Sequence, residues 1–302
     1  MQITNFTAAH TESAARIAKQ NYNEERQFVP ELPFVDTLPD LTGFADGVAA
    51  VNGDELLGYF CWYAPFDNHF GNCKGTWSPI HAHGSVCQNR ADIYDRLYQA
   101  AAERLVADGV FSHAVTLYEH DASANASFSF NGFGRRCIDA IRETIPIISP
   151  PCVGVTFREA MQSDAETIAE MSNATAIHLS GSPMFMPNFG SDTIDEKQCF
   201  VAVIDNKPVA YYKIQQSAET FVSDDPSVTN ITGAYCQPKF RGQGIAVSLL
   251  SFLMDHLRER GYTRCGVDFE SFNYTGRKFW LKYFTAYTNS VVRRIDERGT
   301  RF

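Results

Sequence analysis

The sequence predicts an α/β (α+β) chain built from two copies of one domain set in tandem. Three observations carry that prediction. The chain has 302 residues, about twice the size of a common domain. It slides against itself at a nearly constant offset of about 152 positions. Both copies also run through the same order of strand-like alternation and helical periodicity.

The offset is read from paired residues. Phe6, Ala9, Ile17 and Ala18 meet Phe157, Ala160, Ile168 and Ala169. Ala50-Val51 meets Ala202-Val203, and Gly58-Tyr59 meets Ala210-Tyr211. Leu97, Leu105 and Gly109 then meet Leu249, Leu257 and Gly261. One such match means little, but an offset held across half a chain marks a duplication. The expected domains are 1–145 and 152–302, joined by a hinge at 144–152 where Pro146, Pro150 and Pro151 stop regular structure.

Each copy opens with a short strand, 2–6 or 153–157, and a helix with apolar residues at helical spacing: Ala14, Ile17 and Ala18, or Ala165, Ile168 and Ala169. After an irregular loop come two apolar strands, 47–51 and 56–63 in the first copy, 199–204 and 209–214 in the second. The turns Asn52-Gly53-Asp54 and Asp205-Asn206-Lys207-Pro208 make them hairpins. Next come another strand (230–236 in the second copy) and a long helix closing at Gly109 or Gly261. A strand at 114–118 or 265–269, a helix and a last strand complete each copy.

Composition narrows the function classes. The chain is 44% hydrophobic and 20% charged, as packed globular domains are. A net charge of −9 disfavours a nucleic-acid or anionic-membrane binder, which needs basic patches. No apolar run reaches the ~20 residues of a membrane span. The eight cysteines are scattered without a CxxC pair, which reads as reduced thiols. The first residues show no signal-peptide pattern, so the expected compartment is the cytoplasm. A monomer or homodimer is the expected state.

The chemistry concentrates at Gln237-Pro238-Lys239-Phe240-Arg241-Gly242-Gln243-Gly244-Ile245-Ala246, between the strand 230–236 and the helix 246–260. A helix start has amides without partners and the positive end of the helix dipole, which suits an anion. Glycines there let the backbone approach a diphosphate, Ala246 keeps the approach open, and Arg241 adds a fixed charge. A bare G-x-G before a helix is equally a tight turn. The segment resembles the R/Q-x-x-G-x-G/A signature of the GCN5-related N-acetyltransferases, met at Arg241, Gly244 and Ala246. The family's N-x-x-A-x-x-x-Y-x-x-x-G-F pattern is similar to Asn273, Gly276, Trp280 and Phe284, with a shortened end, and to Asp121, Ala124, Phe128 and Gly132-Phe133 in the first copy.

The resemblance covers the whole chain as two copies. It implies a mixed, mainly antiparallel twisted sheet with splayed central strands in each. It also implies acetyl-coenzyme A as co-substrate, held by Arg241, Gly242, Gln243, Gly244, Ile245 and Ala246, by the strand Ala234-Tyr235-Cys236 and by Asn273. The acceptor it implies is an amine of a small molecule or peptide, reached by direct transfer. In the first copy Asn89, Arg90, Ala91, Asp92, Ile93 and Tyr94 fall opposite the loop, with Asp92 at Gly244 and Tyr94 at Ala246. A carboxylate at a phosphate position costs roughly 4 kcal/mol at about 4 Å and a dielectric of 20. The first copy is therefore expected to be degenerate, with one competent cofactor site in the chain.

Acetyl transfer to an amine needs a neutral nucleophile, a stabilised oxyanion and a proton for the thiolate. The family tyrosine that gives that proton falls on Trp280, so Tyr283, one turn on, is the substitute candidate; a core tyrosine is the plain alternative. Glu270 is the candidate base, with Asp268 two residues earlier on the same strand face. A longer acyl donor, or a non-catalytic acetyl-coenzyme A sensor, are the competing functions. His69, Cys73, His81, His83 and Cys87 fit no common zinc spacing and read as packing, so no metal is expected. Acceptor specificity is expected in the loop 178–190, whose run 181–187 is apolar for a loop; an inter-domain packing loop is the plain alternative.

Overall fold

The computed structural model describes residues 1–70, 73–187, 195 and 198–300. The chain divides into two compact units, Met1–Asp139 with Ala286–Phe302, and Ala140–Thr285. Set beside an end-to-end division at 145 and 152, the last strand counts with the first unit.

In the first unit β1 (Gln2–Asn5) and α1 (Thr11–Phe28) precede the hairpin β2 (Asp46–Asn52) and β3 (Glu55–Trp62). Then come β4 (Gly75–Ser78), β5 (His83–Ser85), α2 (Arg90–Ala107), β6 (Ser112–Tyr118), α3 (Ala122–Phe130) and β7 (Gly134–Glu143), which passes into the second unit at Ala140. β1, β2, β3 and β5 form an antiparallel sheet, while β4 runs parallel to β6. α2 presents Ile93, Leu97, Tyr98, Ala101 and Leu105 to a core with Val48, Phe60, Trp62, Leu117 and Phe128. α1 buries Ala14, Ile17 and Ala18 with Ala49, Tyr59 and Cys61.

The second unit holds β8 (Thr156–Glu159), α4 (Ala165–Ser180), β9 (Cys199–Ile204), β10 (Lys207–Gln215), β11 (Val228–Cys236), α5 (Ile245–Glu259), β12 (Arg264–Glu270) and α6 (Tyr274–Tyr283). Its strands lie in the order β12-β11-β10-β9-β8, and only β11 and β12 pair in parallel. Alternation sorts the faces. Cys199, Val201, Val203 and Tyr211 meet Ile168 and Met171 of α4. From the other face Phe200 packs against His256 of α5, ring centroids 4.8 Å apart. The last strand, β13 (Thr285–Arg294), runs antiparallel to β6 from Thr288↔Tyr118 to Arg294↔Ser112. Side chains tie it there: Thr288 donates to Asp139, and the Asn289 amide donates to Glu119 at 3.0 Å and Asn125 at 2.9 Å.

The two copies differ where strand and loop lengths differ. Strand β8 starts at Thr156, three residues later than expected, and the pairs β1/β8 and α1/α4 match at an offset of about 154. Buried Ala14 and Ile17 thus correspond to buried Ile168 and Met171. The pairing of Ile17 and Ala18 with Ile168 and Ala169, an offset of 151, differs by three residues, nearly one helical turn, which returns apolar residues to the same face. The second hairpin turn is shorter than expected. Asp205 and Asn206 alone form it, both with left-handed φ (48° and 62°), while Lys207 and Pro208 already belong to β10.

Candidate active site

Strand β11 has two partners and leaves one of them. Its first part pairs with β12 from Val228↔Arg264 to Ile231↔Val267, where the parallel pairing ends. Its second part stays on β10, Gly233↔Lys213 to Cys236↔Ala210, after an irregularity at Lys213/Ile214 that leaves Thr232 as the extra residue. Ala234, Tyr235 and Cys236 therefore lie on a strand whose β12 side has opened, and all three are half-buried. The Thr232 hydroxyl at the start of the opening is buried and finds no acceptor among the described residues. Buried polar groups are ordinarily paired, so this hydroxyl is an exception at the strand opening. In the first unit the same path is cut in two: β4 pairs with β6 and β5 with β3, with residues 79–82 between them.

From Cys236 the chain turns through Pro238–Phe240 and reaches Gly242 and Gly244, whose φ values of 75° and 83° are left-handed. Helix α5 starts immediately after, with Gly244 as its cap. Among the described residues no carbonyl or side-chain oxygen accepts from the amides of residues 242–247. Six successive free donors at a helix start make an anion cradle. The carbonyl of Ala246 accepts from the Tyr212 hydroxyl at 2.9 Å, which ties β10 to the first turn of α5. Arg241 folds back, donating to the Cys236 carbonyl at 2.9 Å with its guanidinium 5.3 Å from the Tyr235 ring centroid. The Gln243 side chain donates to the Lys239 carbonyl at 2.8 Å.

Helix α6 is capped by Asn273, whose side-chain oxygen accepts from Gly276 N–H at 3.3 Å and lies 3.5 Å from His178 Nε2 of α4. Trp280 is buried, its ring 5.7 Å from that of Tyr212 and 5.5 Å from that of Phe284. Tyr283 is half-buried against Phe279 at 5.2 Å. Burial, then the nearby Cys236 thiol and Tyr283 phenol, push the Tyr212 hydroxyl well above the ordinary tyrosine range. The structure thus brings Cys236, Tyr212 and Tyr283 together on the α5 face of the sheet.

The other candidates lie on the opposite face. Asn230 pairs with Gly266, so Gly266, Asp268 and Glu270 alternate onto one side of β12. Burial and the neighbouring carboxylates of Glu219 and Glu270 push Asp268 up to about 7. A cavity of about 420 Å³ lies between Glu170, Met171 and Ala174 of α4 and Tyr235, Pro238 and Lys239 at the end of β11. Of the expected acceptor loop, residues 178–180 complete α4, Met184 is buried and Phe185 is 72% exposed, while residues 188–190 lie outside the described residues.

Residues 166–284 match the family model described as "Acetyltransferase (GNAT) family". This stretch is a GNAT domain. A GCN5-related N-acetyltransferase from Sphaerobacter thermophilus is similar in fold, with a TM-score of 0.57 at 13% identity over 97% of this chain and 95% of that one. The glucosamine N-acetyltransferase region of a fungal multi-domain GH3 β-N-acetylglucosaminidase gives a TM-score of 0.53 at 12% identity, over 96% of this chain and 38% of that one. The likeness is therefore one of fold along nearly the whole chain. No curated protein matches. Family and fold together support acyl transfer as the class of activity.

In the first unit the segment at the corresponding offset has another shape. α2 and α5 are each followed by a glycine at the same distance, Gly109 and Gly261, but α2 starts about one turn earlier, so residues 90–92, opposite 242–244, are helical rather than a loop. Asp92 does not face an anion site; it is exposed and pairs with Arg96 at 3.1 Å. Arg90 instead fills the corner, donating to Glu24 at 2.8 Å, to Asp121 at 3.0 Å and to the carbonyls of Ser85 and Val86. The His69, His81 and His83 group is core. His83 bonds Tyr94 and the Thr116 carbonyl, and burial lowers it to about 4. Among the described residues no group of three metal-ligating side chains converges, and no helix is long and apolar enough to cross a membrane.

Sequence reasoning missed the contacts that Tyr212, Arg90 and Pro150 make. A buried-strand tyrosine and a helix-start arginine have no local signature, and Pro150 lies 94 positions before the glycine it touches.

Proposed function

We propose that the GNAT domain at residues 166–284 transfers an acetyl group from acetyl-coenzyme A to an amine of a small molecule or peptide by direct attack. The observation that carries this is the run of unpaired amides at residues 242–247 standing beside the opening between β11 and β12. The amides suit the coenzyme's diphosphate. The open edge of Ala234, Tyr235 and Cys236 offers main-chain groups to an extended pantetheine arm, as a sheet edge does to an added strand. Arg241, Gln243, Ile245, Ala246 and Asn273 complete the cofactor site.

On the acceptor side, Asp268 and Glu270 take the proton that an ammonium must lose before its nitrogen attacks the thioester carbon. A β11 amide at the opening stabilises the developing oxyanion. Tyr283, on the other face, supplies the proton to the departing thiolate. The first unit has a helical turn and the Arg90 cluster in place of the loop, so one coenzyme binds per chain. Calorimetry with coenzyme A should give a stoichiometry of one, and an amine panel with acetyl-coenzyme A should release free thiol. A stoichiometry of zero defeats the site.

One observation favours a second reading. Trp280, which cannot give up a proton, is buried where the family pattern has its tyrosine. A domain that binds acetyl-coenzyme A and turns over no amine would be a sensor, and the same panel separates the two. Longer acyl donors in that panel report the acyl length.

A further inference from the structure

The hinge is laid along the helix that carries the cofactor loop. Gly244, Ser248 and Ser251 stand four and three positions apart, so they share one face of α5. Residues 147–152 run along that face in the opposite direction. The Ser251 hydroxyl donates to the Ile147 carbonyl at 2.9 Å and the Ser248 hydroxyl to the Pro150 carbonyl at 3.0 Å. The Cys152 sulfur then lies 3.4 Å from Ser248 Oγ and 3.9 Å from the Gln243 carbonyl oxygen. The ring of Pro150 covers Gly244 so closely that a Cβ there would lie 2.4 Å from Pro150 Cγ. A Cβ on Gly242 would meet open space.

We propose that residues 147–152 are a strap that sets the shape of the cofactor loop, with Pro150 as a positioning residue. The proposal rests on reading residues 241–246 as the coenzyme A loop. Glycine visits both signs of φ freely, so a loop with Gly242 and Gly244 would spread its amides over many directions if left alone. A proline ring has a fixed φ and no N–H, and two in succession make a stiff segment. Seated on Gly244 and held by two serine hydroxyls, it removes that freedom before the ligand arrives. A ligand that binds only the ordered loop has its affinity reduced by the fraction of time the loop is disordered.

The test uses the full chain with Pro150→Gly and, separately, Ser248→Ala combined with Ser251→Ala, which keeps the proposal testable should the proline variant fold poorly. Hydrogen exchange of the amides at 242–247 reads the loop without any ligand, and calorimetry with coenzyme A reads affinity. Faster exchange and a Kd raised about tenfold are expected. So is a raised KM for acetyl-coenzyme A at unchanged kcat. Ser248→Thr with Ser251→Thr, which keeps both hydroxyls, should restore the Kd. Unchanged exchange at 242–247 in both variants overturns the strap, whether or not coenzyme A binds. Absence of coenzyme A binding by the unaltered chain instead overturns the site, and leaves the strap to be judged by exchange alone.

Discussion

Gly266 faces Asn230 across the second-to-last rung of the β11–β12 pairing, and a Cβ on Gly266 would lie 2.2 Å from Asn230 Oδ1. The Asn230 side chain is in turn held by the Gln216 carbonyl at 3.1 Å, so it cannot swing away without losing that bond. The two strands separate just beyond this contact. Gly266→Ala is expected to overpack the apex and cost about 1–3 kcal/mol, read as a lowered denaturant midpoint at an unchanged slope. A midpoint within error of the parent's would show that Asn230 moves at no cost.

The two loop glycines should respond differently to alanine. Both have left-handed φ, which costs a non-glycine residue roughly 1–2 kcal/mol. Only Gly244 adds a clash with Pro150. Gly244→Ala should therefore lower the melting midpoint more than Gly242→Ala, and Pro150→Ala should recover part of the difference. Equal losses would remove Pro150 from the explanation.

Tyr283→Phe keeps the packing on Phe279 and deletes the hydroxyl. As the proposed proton donor to the thiolate, that hydroxyl is expected to contribute about 10²-fold to kcat. The variant should show that fall while coenzyme A affinity stays unchanged. Unchanged turnover would return Tyr283 to a packing role.

Asp268 gives the chain a pH signature. Its carboxyl is pushed up to about 7 by burial and by Glu219 and Glu270, so between the ordinary carboxylate range and about 7 the folded chain holds a proton that the unfolded chain has released. Its contribution to stability is therefore complete at acid pH and lost as pH rises through about 7. Asp268→Asn should raise the melting midpoint at about pH 8 relative to the parent and narrow that gain toward about pH 4. Turnover should rise with pH through the same range in the parent and lose that rise in Asp268→Asn. Glu270→Gln removes a neighbouring negative charge and should shift the turnover rise to lower pH.

Arg90 holds together the start of α2 in the first unit. It is 8% exposed and bridges Glu24 and Asp121, the latter also capping α3 through Ala124 N–H at 3.0 Å. Arg90→Ala leaves two carboxylates without their cation and should cost about 3 kcal/mol, measured by denaturant unfolding. Arg90→Lys should not restore the loss, because a point charge cannot reach both carboxylates and two carbonyls. Recovery by lysine would show that charge alone matters.

Much of the site was legible because it follows from local rules. Gly242 and Gly244 announce left-handed backbone, and the apolar run after them announces a helix, so the amide cradle is readable from about ten residues. Asn273 likewise caps α6, as Asp121 caps α3, by the same bond to the residue three positions on. Tyr212 on Ala246 and Asp268 beside Glu219 were not legible, since no spacing rule links residues tens of positions apart.

The sequence by itself determined the repeated order of elements, the hairpin positions and the glycine turn before α5, because backbone preference and side-chain periodicity act over a few residues. Tertiary structure decided the rest: the α1/α4 register, the lodging of β13 on β6, the extra helical turn at Arg90, and the proline over Gly244. Each of these depends on which distant surface is buried against which. Packing between remote segments, not local preference, selects one outcome among several that the chain's own periodicities allow equally.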